Sequence, residues 1–295
     1  MIDFISGILG GIIRLIYSVV GNNYLIALLI FTFLTKLILF PLMLKQLKST
    51  AGLQKIAPED KKLREKYKDN PVKLNEELTK LYADNKISPL GGCLLPIIQI
   101  PIVIAMFFVV KQPLTYIAQM DKSEIKTYTA QYLNKAEGEE VTDNEMKAYE
   151  INIAKEYDLL DMKIGDKISL GDTPKDAFSK DETKRVSKWT LVIPVLTLVF
   201  SLLSNQLMMR KSKNTMSEDQ AEMQKSMNIM MPILSAYFSY AWPLALGVYW
   251  LFGTILGMGQ QLLIDKLMED KDLSKNNDKN KKNKVLFLGK GENND

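Results

Sequence analysis

The chain has 295 residues, of which 47% are hydrophobic and 24% are charged, and its formal net charge is +4. It contains no histidine, which excludes the Ser-His and Cys-His arrangements of nucleophilic enzymes. The single cysteine, Cys93, excludes an internal disulfide bond and a thiolate-clustered metal site. No glycine-rich loop ends in Lys-Ser or Lys-Thr, so P-loop nucleotide hydrolases are excluded too.

Residues 1–21 predict an amphipathic helix. Small or polar residues recur there at a helical period, at Asp3, Ser6, Gly7, Gly10, Arg14 and Ser18, and the other side is apolar. The start Met1-Ile2-Asp3 lacks the basic residues of a signal peptide. Another membrane span is an alternative for this segment, but we expect an external interfacial helix that lies on the membrane surface.

Five hydrophobic segments follow and indicate an integral membrane protein. The first apolar run, residues 24–44, has 21 residues and one charge, Lys36, and as a helix it reaches about 31 Å. The five predicted spans are residues 22–44, 92–112, 189–209, 227–242 and 243–264. The alternative, a soluble protein with buried core helices, is disfavoured because such helices rarely stay apolar on all sides for about 20 residues.

The charges of the connecting segments predict the orientation. Residues 45–91 hold 11 Lys or Arg and 7 acidic residues, whereas residues 113–188 hold 12 and 16. The positive-inside rule therefore places 45–91, the loop 210–226 and the basic tail 265–295 in the cytoplasm, and the long loop 113–188 outside. The N-terminus is then external and the C-terminus cytoplasmic.

The segments outside the spans have patterns of their own. Residues 45–91 predict a cytoplasmic helical hairpin, with a turn at 69–70 and a new helix starting at Pro71. The alternative for this segment is a solvated spacer without a partner. In the outer loop, residues 121–157 favour helix, and residues 162–170 alternate like a short β-hairpin around Gly165. The tail, rich in Lys, Asn and Asp, predicts disorder.

Lys36 is the main candidate for a functional residue. It lies eight residues from the cytoplasmic end of its span, about 12 Å deep, beyond the comfortable reach of a lysine side chain. A charge at this depth costs about 2.5–3.5 kcal/mol on insertion scales. No Asp or Glu occurs in any of the five spans. We therefore expect a hydrated cavity that faces the helix bundle and receives negative charge.

Polar and aromatic residues in the spans complete the predicted substrate groove. Its predicted members are Lys36, Thr32, Gln99, Asn205, Gln206, Tyr249 and Trp250. For each of them except Lys36, ordinary hydrogen bonding between helices, or an aromatic ring at the membrane interface, is an alternative explanation. No catalytic residue and no metal ligand is predicted.

Several segments resemble the YidC/Oxa/Alb family of membrane protein insertases. They are FLTKLILFPL at 33–42, SPLGGC at 88–93, QIPI at 99–102, MMP at 230–232, AWP at 241–243, GVYW at 247–250 and QQ at 260–261. The resemblance covers residues 22–112 and 189–265 in order. It implies an all-α membrane protein in which five transmembrane helices surround a hydrophilic groove open to the cytoplasm. The family has an arginine in its first core span, where this chain has Lys36. Lysine keeps the positive charge but lacks the planar guanidinium group that binds a carboxylate through two hydrogen bonds.

The resemblance also implies a function. It predicts an insertase and chaperone in the bacterial plasma membrane that is not an enzyme and needs no cofactor. The implied partners are nascent membrane-protein chains, the lipid bilayer, the Sec translocon and, through the hairpin and the basic tail, the ribosome. Two other hypotheses remain open: a small anion transporter or channel that uses Lys36, and a membrane scaffold in which Lys36 is incidental.

Overall fold

The computed structural model describes residues 2–87, 94–136, 138–209 and 218–288, and these are mostly helical. The predicted SPLGGC motif and most of the predicted loop 210–226 lie outside the described residues. The helices are α1 (Ile2–Val19), α2 (Tyr24–Lys66), α3 (Pro71–Asp84), α4 (Leu94–Lys111), α5 (Lys122–Tyr132), α6 (Asp143–Glu156), α7 (Val192–Met209), α8 (Glu218–Ala241) and α9 (Leu244–Leu288). The chain divides into two compact units, Met1–Ile255 and Leu256–Asp295.

Four helical segments in the described part of the chain are long and apolar enough to cross a membrane. They are Ile2–Val19, Tyr24–Leu53, Lys188–Leu207 and Leu244–Leu267, and a shorter apolar helix covers Gln99–Lys111. Three of the four overlap the predicted first, third and fifth spans. The first segment is the helix expected on the membrane surface, so its length and composition also fit a crossing helix.

The small and polar side of helix α1 packs in part against other helices. Its small residues Ser6 and Gly10 are buried, and it packs on α2, on α4 and on a π-helical turn at Leu114–Ala118. The Ser6 hydroxyl donates to the carbonyl of Ala105 in α4 at 3.3 Å. The stripe of small and polar residues is thus in part a packing surface, because small residues let two backbones approach closely.

The second helix extends from the first predicted span into the predicted hairpin. The amide side chain of Asn23 caps α2 by accepting from the Ile26 N–H at 2.9 Å. The helix continues for 43 residues, about 65 Å, through two internal prolines. The next helix, α3, begins at Pro71, as predicted, with Asn70 as its N-cap.

The helix α3 packs on the distal part of α2 around Ile56 and Leu78, which are both buried. The Asp60 carboxylate in this contact accepts hydrogen bonds from Arg64 Nε at 2.5 Å and from the Tyr82 hydroxyl at 2.6 Å. Burial, and then the Asp60 hydrogen bond, raise the pKa of Tyr82.

The segment 113–188, which the sequence predicts to lie outside, is folded. The helices α5 and α6 pack on each other, and a capping box between Thr142 and Glu145 starts α6. The predicted β-hairpin is confirmed: β1 (Lys163–Ile164) pairs with β2 (Ile168–Ser169), and Gly165 in the turn has φ +60°. The buried apolar side chains of the segment 113–188 belong to the same hydrophobic core as those of α1, α2, α4 and the start of α9.

The last helix, α9, extends further toward the C-terminus than predicted. The helix α7 packs along α8, α8 ends at Ala241, and α9 begins at Leu244 after Pro243. The sequence predicts a disordered tail from residue 265, whereas α9 continues to Leu288. The physical reason is that residues 265–288 contain neither proline nor glycine to end the helix, and Gly289 follows directly.

Candidate functional site

Lys36 lies in the apolar part of α2, one helical turn after the fully buried Thr32. The Thr32 hydroxyl donates to the Leu28 carbonyl at 2.7 Å, and the Thr35 hydroxyl donates to the Thr32 carbonyl at 2.8 Å. Both threonines thus satisfy their hydroxyl protons on their own helix.

The helix α9 approaches Lys36 closely at Gly253. A Cβ atom built on this glycine would lie 3.3 Å from Lys36 Cε, 3.8 Å from Lys36 Nζ and 3.7 Å from Thr32 Cγ2. Glycine therefore leaves the room that the lysine side chain occupies. Gly253 is not among the groove residues predicted from the sequence, although a glycine inside an apolar helix is a recognised signal of close helix packing.

A hydrogen bond joins α4 to α9 one turn before that contact. Gln99 Nε2 donates to the hydroxyl oxygen of Tyr249 at 3.4 Å, and Tyr249 is buried. Tyr249 and Gly253 are four residues apart and therefore lie on the same side of α9. Four predicted groove residues, Lys36, Thr32, Gln99 and Tyr249, are thus linked through this side of α9.

The other three predicted groove residues have different surroundings. Asn205 Nδ2 donates to the Asn228 carbonyl on α8 at 2.8 Å, and Gln206 is exposed. The ring of Trp250 lies 6.2 Å from that of Phe238 on α8. Asn205 and Trp250 thus contact α8.

Aromatic rings connect α4, α8 and α9 at one end of these helices. Phe238 stacks on Trp242 with ring centres 4.4 Å apart, and Phe107 of α4 lies 4.8 Å from Trp242. Such pairs contribute about 0.5–1.5 kcal/mol each beyond their buried area. Trp242 belongs to a motif of the family resemblance, but the aromatic cluster was not predicted from the sequence.

The ends of α8 and α9 also pack tightly. A Cβ atom at Gly247 would lie 2.5 Å from the Ser239 hydroxyl oxygen and 3.0 Å from Ile193 Cγ2. The Thr197 and Ser239 hydroxyl oxygens are 3.5 Å apart. The start of α9 is therefore fixed against both α7 and α8.

Glu150 is a buried carboxylate of the segment 113–188. Glu150 accepts from the Thr115 N–H at 2.5 Å and from the Thr115 hydroxyl at 2.9 Å, at the start of the π-helical turn. Burial raises the pKa of Glu150 to about 7, although these hydrogen bonds favour the ionised form. A cavity of about 330 Å³ also lies in this segment, beside the β-hairpin.

The described residues contain no group of three or more His, Cys, Asp or Glu placed to hold a metal ion. The side chains that lie together there are a cation (Lys36), an amide (Gln99) and a phenol (Tyr249) on three apolar helices. Charge interacts strongly in such surroundings because their dielectric constant is low.

Comparison with known proteins decides the family. The family model described as "60Kd inner membrane protein" matches residues 15–271. The chain belongs to this family. Together with the apolar helices, this makes it a multi-pass protein of the inner membrane, and the resemblance to the YidC/Oxa/Alb insertases is confirmed.

Three proteins called membrane protein insertase YidC illustrate how far the family similarity extends. That of Clostridium perfringens is 46% identical over 90 residues, which are 30% of this chain and 38% of the relative. That of Oceanobacillus iheyensis is 29% identical over 258 residues, which are 85% of this chain and 78% of the relative. That of Pelobacter propionicus is 29% identical over 258 residues, which are 88% of this chain and 38% of the relative.

The matched part thus spans less than half of two of these relatives and more than three quarters of the third.

Proposed function

We propose that the chain is a membrane protein insertase and chaperone of the inner membrane. The observation that carries this proposal is the position of Lys36, a basic residue inside an apolar helix, against Gly253 of α9, in a chain of this family. A cation inside the bilayer is costly, so it is retained where it contributes to function.

The proposed site is a hydrophilic groove among five transmembrane helices, open to the cytoplasm. Lys36 and Thr32 on α2, Gln99 on α4 and Tyr249 on α9 form its linked part. Asn205, Gln206 and Trp250 complete it on the side of α7 and α8. In this arrangement the N-terminus is external, the α2–α3 hairpin and the basic tail are cytoplasmic, and the fifth helix supplies the second wall around the lysine.

The mechanism follows from the cost of moving polar chain through hydrocarbon. A segment that has to reach the outside is hydrated in the groove for part of the way, and Lys36 attracts its acidic groups. As the substrate's own apolar helix enters the lipid, burial of its surface contributes about 25 cal/mol per Å² and drives the polar segment outward. No nucleotide is consumed. Nascent chains, the lipid bilayer, a Sec-type translocon and the ribosome, at the hairpin and tail, are the proposed partners.

Substitution of Lys36 tests the proposal. In cells that depend on this protein, Lys36→Ala should lower the insertion of a small protein with an acidic external segment by about tenfold or more, since one charge-assisted contact contributes about 1.5–3 kcal/mol. Lys36→Arg keeps the charge and should insert at nearly the normal rate. Lys45→Ala is the matched control, because it removes a lysine from the same helix outside the predicted span.

The outcomes separate the proposal from its alternatives. If Lys36→Ala and Lys36→Arg both leave insertion unchanged, the groove mechanism is wrong, and a scaffold function remains. If Lys36→Ala abolishes an anion flux while insertion is unaffected, the chain is a transporter.

A second experiment locates the substrate. Photo-crosslinkers at Gln206 and Trp250 should capture a nascent chain, whereas one at Val195, an exposed apolar position of α7, should capture lipid instead.

A further inference from the structure

One short segment of the outer region binds the first residues of both helices that meet at Lys36. The segment, residues 161–172, is called the outer clamp below. The Tyr24 N–H at the start of α2 donates to the Asp161 carbonyl at 3.1 Å. At the start of α9, the Leu244 N–H donates to the Asp172 carbonyl at 2.7 Å and the Ala245 N–H donates to the Leu170 carbonyl at 2.9 Å.

These bonds are costly to break. The first N–H groups of a helix have no acceptor within the helix, and an unpaired buried N–H is strongly unfavourable. Tyr24, Leu244 and Ala245 are all buried, so water is a poor substitute for the clamp carbonyls. The clamp therefore fixes where α2 and α9 begin.

Hydrogen bonds and an ion pair hold the outer clamp in one conformation. Its two strands pair with Lys163 opposite Ser169, and the Leu170 N–H donates to the Met162 carbonyl at 2.7 Å. The buried Asp172 carboxylate accepts from the Ser169 N–H at 2.8 Å and forms an ion pair with Lys155 of α6 at 2.5 Å. The two attachment points are thus held by one closed network.

The attachment points lie close to the candidate site along each helix. From Tyr24 to Lys36 is about 18 Å along α2, and from Leu244 to Gly253 is about 14 Å along α9. A helix is stiff over such lengths, so a change at its start shifts the residues further along. We propose that the outer clamp is a positioning element that holds α2 and α9 at the spacing at which Lys36 and Thr32 contact Gly253. The effect of the clamp on insertion rests on the proposed function, whereas its effect on the spacing of α2 and α9 does not.

The test removes a single clamp bond. Leu244→Pro deletes the N–H that Asp172 accepts, at the first helical position, where proline is well tolerated. Leu244→Ala is the matched control, because it also loses the leucine side chain but keeps the N–H. Both are made in the full chain in membrane vesicles, with Cys93→Ser as background.

The readout is disulfide formation between two pairs of introduced cysteines. The first pair, Thr32→Cys with Gly253→Cys, reports the spacing of α2 and α9. The second pair, Thr197→Cys with Ser239→Cys, joins α7 to α8 away from the clamp bonds. We expect Leu244→Pro to slow the 32–253 disulfide about fivefold relative to Leu244→Ala, the effect of losing one ordinary hydrogen bond. The 197–239 disulfide should form at the same rate in both.

Two results would overturn the proposal. The first is an equal 32–253 rate in the proline and alanine variants. The second is an equal loss at both cysteine pairs, because that indicates general loosening rather than positioning.

If the proline variant does not accumulate, Lys155 provides another test. Lys155→Met breaks the ion pair with Asp172 and should slow the 32–253 disulfide, while Lys155→Arg should restore it, and equal rates in these two variants contradict the clamp. The disulfide rates test the clamp, and insertion is measured in a separate assay. A failure of the Lys36 mechanism would therefore leave the test of the clamp valid.

Discussion

Replacing Gly253 by alanine adds one methyl group beside Lys36. That methyl carbon would lie 3.3 Å from Lys36 Cε, which is a few tenths of an ångström inside the usual carbon–carbon contact of about 3.5–4.0 Å. The atom it meets is near the end of a flexible side chain, so the lysine moves rather than the backbone. A displaced lysine attracts the acidic segment of the substrate less well. We take this loss as about 1 kcal/mol in the barrier to insertion, which corresponds to about a fivefold lower insertion rate.

A larger side chain at the same position sharpens the prediction. Gly253→Leu extends past the Cβ position, from which Lys36 Nζ is only 3.8 Å away, and it must displace the ammonium group. Insertion should then fall by about tenfold or more, toward the level of Lys36→Ala. The expected order is therefore glycine, alanine, leucine.

The assay is protease protection of a small substrate protein with an acidic external segment, inserted into vesicles that contain each variant. Gly11→Ala is the control, because a Cβ atom there meets no described atom within 4 Å. Thermal stability in detergent should not fall for Gly253→Ala, since alanine stabilises a helix interior by about 0.5–1 kcal/mol over glycine. Full insertion activity in Gly253→Leu would refute the reasoning, as would equal losses of activity and of folded protein.

Three further predictions concern stability. Burial raises the pKa of Glu150 from 4.5 to about 7, so the folded state holds the proton more tightly. Stability should therefore fall by up to about 3 kcal/mol as pH rises from about 5 to 8, and Glu150→Gln should flatten a thermal-unfolding profile over that range. Tyr82→Phe removes the hydrogen bond to Asp60 and should weaken the α2–α3 contact by about 2 kcal/mol, visible as faster amide exchange in α3, and unchanged exchange would contradict this. Gly10→Ala places a methyl group 2.7–2.9 Å from the π-helical turn and should lower the melting temperature, whereas Gly7→Ala, which meets no described atom, should not.

Much of the helical architecture could be predicted because its signals are local. Apolar runs of about 20 residues indicate membrane helices whatever surrounds them, and Asn70-Pro71 marks a helix start through capping and a fixed φ angle. The β-hairpin around Gly165 was predictable for the same reason, since the alternation and the positive φ of the turn are properties of a few neighbouring residues.

Local signals misled where packing decides. The small residues of α1 have the period of a surface helix, yet Ser6 and Gly10 pack on other helices, and sequence alone does not tell a stripe that faces water from one that faces a backbone. The tail has a composition typical of disorder, but it has no helix-ending residue before Gly289, and α9 continues.

The sequence by itself determined that this is a multi-pass membrane protein with a cation inside its first long apolar helix, because hydropathy and charge need no tertiary information. Only the tertiary structure decided what stands next to that cation. The contact between Lys36 and Gly253, the bond from Gln99 to Tyr249 and the clamp on α2 and α9 join residues that are separated by about 70 to 220 positions. Such pairings depend on how the helices are arranged, and no local pattern specifies which residues will meet.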